Sequence, residues 1–207
     1  MSDTVAVDLF AEDHAHQALL GPLILRVARE EAVCVGIRAR SARGGHARAI
    51  EEYRTYQLLV DKGAVTPAPS LVVVAIDGNC TAFARKREEI RNATGPLLRD
   101  RLVVACPDPH VERWYFADPE SFHEALGSTP VLGRTKCARA YYKDLLARAV
   151  RDGGHPPTLG GIEFARDLVE RFSWYRAARN DRSFGAFIAD LRDGLRRMRQ
   201  SLPRSPV

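Results

Sequence analysis

Cysteine is scarce in this chain of 207 residues. Cys34, Cys80, Cys106 and Cys137 are widely spaced and form no Cys-x-x-Cys pair, which argues against a zinc site. Cys34, Cys80 and Cys106 lie in or beside predicted strands, so we expect reduced thiols in the core. Cross-links are not needed for stability, because a chain of this length buries about 70% of its unfolded surface.

Long apolar runs are also lacking. No stretch approaches the roughly 20 apolar residues that a membrane-spanning helix requires. The N-terminus has no basic segment followed by an apolar stretch, as a signal peptide would. We therefore expect a cytoplasmic protein with no membrane partner. Gly44-Gly45 lacks the surrounding glycine and lysine pattern of a phosphate-binding loop.

Lysine is rare among the basic residues. Lysine and arginine together number 31, and only four of these are lysines, so arginine dominates a formal net charge of +5. The planar guanidinium of arginine suits the recognition of phosphate. The basic balance therefore allows a nucleic-acid partner without requiring one.

The most informative feature that is present is an apolar run, 71–76, which ends abruptly at Asp77. Such a run is typical of a strand buried on both faces of a parallel sheet. Further strands are predicted at 5–10, 34–40 and 102–106, with helical patterns between them. This order predicts an α/β fold, with a mostly parallel sheet of about four strands and helices on both faces.

The helical patterns begin at Asp13, a candidate cap for a helix over 14–32. Gly21-Pro22 interrupts that helix, so we expect a kink or two short helices. Further helices are predicted at 46–62, 81–92, 111–116, from Asp118-Pro119 onwards, and at 135–151.

A stretch rich in glycine and proline, 153–161, is the clearest linker. It predicts an α/β domain over 1–152 and a C-terminal helical hairpin over 161–200. The hairpin consists of two amphipathic helices, the second capped by Ser183.

Acidic residues follow three of the predicted elements. Glu12 and Asp77 come after strands, and Glu112 lies at the start of a helix beyond the fourth strand. In open α/β sheets the chemistry gathers beyond the carboxyl ends of the strands. Two carboxylates about 4 Å apart repel by about 4 kcal/mol at an effective dielectric near 20, so a shared divalent cation would be needed. The carbonyl oxygen of Asn79 could also bind a hard cation.

Each of these acids also has an ordinary structural interpretation. Glu12 could be a first-turn acid favoured by the helix dipole, Asp77 a helix cap, and Glu112 an exposed partner of Arg113. As a metal site, the set favours Mg²⁺ or Mn²⁺ and the cleavage of phosphodiesters.

Two lysines and several histidines could assist such a site. Lys136 and Lys143 are candidates for stabilising charge, although solvated positions on a helix surface are an alternative. His14 and His16 flank the first acid and could contribute a base or a softer metal ligand, but their spacing of two is wrong for a shared helix face, which favours surface or supporting roles. His46 and His110 are open to the same two interpretations.

Three segments together carry a resemblance to a known family. They are 7–12, which ends on Glu12; 73–79, which ends on Asp77-Gly78-Asn79; and 109–118, with the pattern Pro-x-x-Glu-x-Trp-x-x-x-Asp around Glu112. Over about residues 5–150 the chain resembles the Toprim fold, the catalytic domain of topoisomerases, primases and OLD-type nucleases. The third segment resembles a bacterial branch found beside ATPases in phage-defence or mobile-element contexts.

The resemblance implies a Mg²⁺- or Mn²⁺-dependent nuclease. Glu12, Asp77, Asn79 and Glu112 would be metal-site positions, and Glu12, Asp77, Glu112 and Lys136 the candidate catalytic residues. It further implies a nucleic-acid substrate, with DNA first, an ATPase partner, and antiviral defence as the context. The helices over 162–200 lie outside the resemblance and are the candidate docking surface for that partner. Formation of a homo-oligomer is left open.

The sequence departs from the family pattern in two places. Asn79 stands in place of a second Asp, and Asp13 stands where a Gly usually follows the Glu. The first departure leaves open a catalytically degenerate binding or scaffold subunit. A third alternative is a phosphohydrolase of the haloacid-dehalogenase kind, because the segment 77–81 partly matches an Asp-x-Asp-x-Thr loop.

Overall fold

The computed structural model describes residues 4–41, 46–81, 83–134, 137–138 and 140–201. Its four strands form one sheet in the order β2-β1-β3-β4, and every neighbouring pair is parallel. The strands are β1 (Val5–Ala11), β2 (Val35–Ser41), β3 (Leu71–Ala75) and β4 (Leu102–Ala105). The predicted α/β fold with a parallel sheet is confirmed.

The strand order creates a crevice between β1 and β3. The chain leaves β1 towards β2 on one side and returns to β3 on the other, so the order of strands reverses at that point. Open α/β sheets bind ligands at such a reversal, beyond the carboxyl ends of the strands. Ala11 pairs with Ala75, and the backbone N of Glu12 donates to the carbonyl of Ala75 at 3.0 Å. Residues 12 and 77 therefore emerge side by side.

Helices cover both faces of the sheet, as predicted. The helices are α1 (His14–Glu30), α2 (His46–Asp61), α3 (Phe83–Asn92), α4 (Pro96–Arg99), α5 (Val111–Trp114), α6 (Pro119–Leu126), α7 (Tyr141–Asp152), α8 (Ala165–Arg171), α9 (Trp174–Asn180) and α10 (Arg182–Ser201). Leu9 and Val73 face a cluster with α1 and the later helices. Phe10, Val72 and Val74 face a second cluster with α2, α3 and α4. The alternation arises because successive side chains of a strand point to opposite faces.

Helix α1 runs without a break through Pro22, so the alternative of two short helices is wrong. Proline removes one backbone hydrogen bond from a helix interior. Leu19, Leu20, Leu23 and Ile24, on either side of the proline, are fully buried. Their packing against the sheet offsets the missing bond.

The first helix of the predicted C-terminal hairpin is divided into three pieces. A 3₁₀ turn at Ile162–Phe164 precedes α8, and α9 begins after Ser173, whose hydroxyl accepts from the backbone N of Arg176. Asp181, and not Ser183, caps α10, because its carboxylate accepts the backbone N of Phe184 at 2.9 Å.

Helix α10 packs directly on the sheet. Phe184, Leu191 and Leu195 belong to the same buried cluster as Val73 of β3. A Cβ added at Gly194 would lie 3.0 Å from the side chain of Leu71, so the glycine permits close approach. The segment predicted as a hairpin therefore shares one core with the sheet.

Cys80 and Cys137 form a disulfide, so the expectation of reduced thiols is wrong for this pair. They are 57 residues apart, in the loop after β3 and in the segment before α7, and their spacing gave no sign of contact. Cys106 is a buried free thiol, as expected, whereas Cys34 is exposed. In the part of the chain described, no helix combines the length and apolarity needed to cross a bilayer.

We expect reduction of this disulfide to destabilise the fold. A cross-link across 57 residues restricts the unfolded chain and contributes about 4 kcal/mol, equivalent to a decrease of roughly 12 °C in Tm. Thermal unfolding with and without a dithiol reductant measures this change. The double variant Cys80→Ser/Cys137→Ser should have the Tm of the reduced protein, and the reductant should not change it. A wild-type Tm that does not change on reduction would contradict the prediction.

Candidate metal centre

Glu12, His16 and Asp77 converge at the crevice between β1 and β3. Each offers one ligand atom, and these atoms all lie within 4.8 Å of one another. Nε2 of His16 lies 3.0 Å from Oδ1 of Asp77, and Oε2 of Glu12 accepts the backbone N of Asp77 at 3.2 Å. The group could therefore hold a metal ion.

Asp13 sets the orientation of His16. As the predicted cap of α1, it accepts the backbone N of His16 at 3.1 Å. The same carboxylate oxygen lies 2.8 Å from Nδ1 of the His16 ring. With a proton held at Nδ1, the lone pair of Nε2 faces Glu12 and Asp77. A carboxylate behind a histidine in this way is the usual support of a metal-binding imidazole.

Nε2 of His16 is buried against the carboxylates of this group. The side chain is fully buried, and Nε2 lies 3.0 Å from Oδ1 of Asp77, so the two form an ion pair when the histidine is protonated. A metal ion bound between Glu12, His16 and Asp77 would replace this proton as the partner of Nε2.

Asp77 is anchored on its other side by the start of α5. Its Oδ1 accepts the backbone N of Val111 at 2.9 Å, and its Oδ2 lies 3.0 Å from Nδ1 of His110. Burial alone would raise the pKa of Asp77, but the charges of His16 and His110 and their hydrogen bonds outweigh it and lower the pKa. The carboxylate therefore stays ionised and able to bind a cation.

Protons on the histidines offset part of the negative charge of the carboxylates in this cluster. Burial would lower the pKa of His16, but Asp77 and Asp13 raise it to about 10. The hydrogen bond to Asp77 likewise raises the pKa of His110, against the effect of burial. A metal ion must displace the proton from Nε2 of His16, so metal and proton compete for this nitrogen.

Two of the other predicted site residues, Glu112 and Asn79, lie near this group. Glu112 is 2% exposed; burial raises its pKa, and Lys143, with Nζ 3.7 Å from its Oε1, opposes the rise. Asn79 is exposed, and its Nδ2 lies 3.5 Å from the backbone carbonyl of Asp77. Lys136 lies outside the described residues. The metal roles of Glu112 and Asn79 stay predictions.

The histidines are what the sequence interpretation missed. His16 was expected to have a surface or supporting role, but it is fully buried in the cluster, whereas His14 is exposed. Asp13 is the sequence signal that could have identified His16, because a capping acid places the residue three positions later close to the carboxylate of the cap. His110, which was left open, contacts Asp77; the side chain of His46 lies outside the described part of the chain.

We compared the chain with family models, curated proteins and solved structures, and none of them matches it. The Toprim resemblance therefore stays a prediction that rests on the segments around Glu12, Asp77 and Glu112. The site itself can be interpreted without it. Three protein ligands leave coordination positions for water and substrate, which is the arrangement of a catalytic rather than a purely structural metal.

Proposed function

We propose that this protein is a divalent-metal-dependent phosphodiesterase that cleaves nucleic acid, with Glu12, His16 and Asp77 as ligands of the catalytic metal. The observation that carries the proposal is their convergence at the crevice between β1 and β3, where one ligand atom of each lies within 4.8 Å of the others and the ring of His16 is fully buried. A metal bound there would activate water and stabilise charge on a phosphate.

The surroundings favour a phosphodiester substrate. Lys143 is half-exposed and lies beside Glu112, where its ammonium can contact a phosphate oxygen. The chain as a whole carries a net charge of +5, which attracts polyanions. DNA is the first substrate to test. An ATPase partner on 162–200, a defence context and a cytoplasmic location stay predictions.

The donor set favours Mn²⁺ over Mg²⁺. Both were expected from the carboxylates alone, but magnesium prefers an all-oxygen shell with several waters. An imidazole ligand suits transition metals better. His16 therefore moves the preference towards Mn²⁺.

The test is cleavage of supercoiled plasmid by the purified chain with Mn²⁺, with Mg²⁺ and with EDTA. We expect nicking with Mn²⁺, less with Mg²⁺ and none with EDTA. Glu12→Gln should lower the Mn²⁺-dependent rate by at least about 100-fold, because even groups behind the ligands cost 10- to 100-fold. Glu88→Gln, the same change at an exposed position of α3, is the matched control. Equal rates for Glu12→Gln and wild type would remove the metal site from the mechanism.

The second candidate is a binding subunit without catalysis. Two observations favour it: Asn79 replaces the second acid, and both carboxylate oxygens of Asp77 already contact protein groups. The second observation also weighs against a phosphohydrolase that uses Asp77 as nucleophile. A chain that shows no shift in Tm with Mn²⁺ and no cleavage would favour the binding subunit.

A further inference from the structure

The stretch predicted as a linker is an ordered loop built around Glu163. The carboxylate of Glu163 accepts the hydroxyl of Thr158 at 3.0 Å and the backbone N of Leu159 at 3.2 Å through Oε1. Its Oε2 accepts the backbone N of Gly161 at 2.9 Å. Three hydrogen bonds to one side chain give this glycine-containing segment a single shape.

The loop is also packed tightly on α7. Gly161 has a φ of +97°, which favours glycine, and a Cβ added there would lie 2.9 Å from both Leu146 and Val150. Only glycine allows the backbone to lie this close to the helix. The loop is therefore a preformed wall and does not need to fold when a ligand arrives.

This wall faces the start of α1 across a pocket of about 270 Å³. The lining residues are Asp13, His14, Ala15, Glu112, Lys143, Leu159, Gly160 and Ile162. Asp13, which orients His16, is shared by the pocket and the metal centre. The pocket therefore adjoins the place where a scissile phosphate would bind.

The chemistry of the lining matches one nucleotide. Lys143 supplies a cation for a phosphate, whereas Leu159 and Ile162 supply apolar surface for a sugar or a base. The carboxyl groups of Asp13 and Glu112 can bond to hydroxyl or amino groups. The pocket volume of about 270 Å³ lies just below the roughly 300 Å³ at which small-molecule sites usually begin, so the pocket can take at most one nucleotide unit and not a base pair.

We propose that this pocket binds one nucleotide unit of a single-stranded nucleic acid, next to the phosphodiester held at the metal centre. This inference rests on the proposed function. In a duplex the bases are stacked and paired, so a base reaches such a pocket only in a single strand or after it is lifted from the helix. The loop around Glu163 would thereby select the strandedness of the substrate.

The test is binding of a fluorescent single-stranded dT oligonucleotide, followed by anisotropy in EDTA so that no cleavage occurs. Unstacking costs a few kcal/mol, so the single strand should bind at least about tenfold more tightly than its duplex with dA. Lys143→Met and Leu159→Asp should each weaken single-strand binding by about tenfold. The matched controls are Lys62→Met and Leu97→Asp, the same changes at exposed positions elsewhere. Thermal unfolding of each variant shows that it is folded.

Three outcomes would overturn the inference: no binding of the single strand by wild type, equal affinity for single strand and duplex, or pocket variants that behave like their controls. Binding of Mn²⁺ by the wild-type protein, measured by calorimetry, tests the proposed function separately. If the protein binds Mn²⁺ and nicks plasmid but fails the anisotropy test, the proposed function stands and the nucleotide-binding role of the pocket is rejected. If the protein neither binds Mn²⁺ nor nicks plasmid, the proposed function itself is rejected.

Discussion

Asp77→Asn lowers metal-dependent cleavage by about 1,000-fold, the upper end of the loss expected from one electrostatic group in a catalytic site. Asp77 is the most connected member of the metal centre, since it contacts His16, His110 and the backbone of Val111. The amide has the same size and can still accept the hydrogen bond of Val111. What it loses is the negative charge that attracts the metal ion.

Two measurements on this variant separate binding from folding. Calorimetry with Mn²⁺ should show an affinity at least about 100-fold weaker than that of wild type, whereas circular dichroism should show the same secondary structure. Asp61→Asn, at the exposed end of α2, is the matched control and should leave both the affinity and the rate unchanged. Retention of wild-type Mn²⁺ affinity by Asp77→Asn would remove Asp77 from the ligand set.

The acids of this centre could be predicted because of where they stand in the sequence. Glu12 and Asp77 come directly after strands, and all the carboxyl ends of a parallel sheet lie at one edge. The prediction required only that β1 and β3 be neighbours, which the sheet confirms. A buried apolar run followed by an acid is a local signal, so no long-range contact other than this strand pairing had to be known.

The parts that could not be predicted depend on contacts between distant segments. Glu112 is buried in α5, which contacts α7, and Cys80 is bonded to Cys137, 57 residues later. Neither contact leaves a mark in the spacing of the residues. His16 is an intermediate case. Its capping acid, Asp13, is a local signal, whereas its burial against Asp77 depends on β3, which is distant in the sequence.

Asp118 likewise combines a local position that could be predicted with distant contacts that could not. It stands before Pro119 at the start of α6, where the sequence predicts that a helix begins. Its side chain makes no capping hydrogen bond and mainly bonds to groups from the C-terminal helices. Nε of Arg176 donates to Oδ1 at 2.8 Å, and the backbone N of Ser173 donates to Oδ2 at 2.8 Å. The hydroxyl of Ser121 donates to Oδ2 at 2.7 Å.

Asp118→Ala is therefore expected to destabilise the protein by about 3 kcal/mol, the lower end of the cost of removing one partner from a buried ion pair. Asp118 is fully buried, and its loss leaves the backbone N of Ser173 without this acceptor and removes two hydrogen bonds of the Arg176 guanidinium. The Tm should fall by roughly 9 °C. Glu120→Ala is the control, because Glu120 is 70% exposed and contacts the same arginine at 3.3 Å; we expect a loss of less than about 1 kcal/mol there.

The pH dependence of the destabilisation by Asp118→Ala shows whether the charge of Asp118 causes it. Burial would raise the pKa of Asp118, but the hydrogen bonds from Arg176, Ser121 and Ser173 outweigh it and lower the pKa below its ordinary value of 3.8. A lowered pKa in the folded state means that the unfolded chain binds the proton more readily, so the contribution is complete above about pH 4 and is lost as the pH falls through the folded pKa. The difference in unfolding free energy between wild type and Asp118→Ala, measured with urea at pH 7 and at pH 3, should therefore shrink in acid. A difference that stays constant between these two pH values would show that packing, and not the charge of Asp118, joins the C-terminal helices to α6.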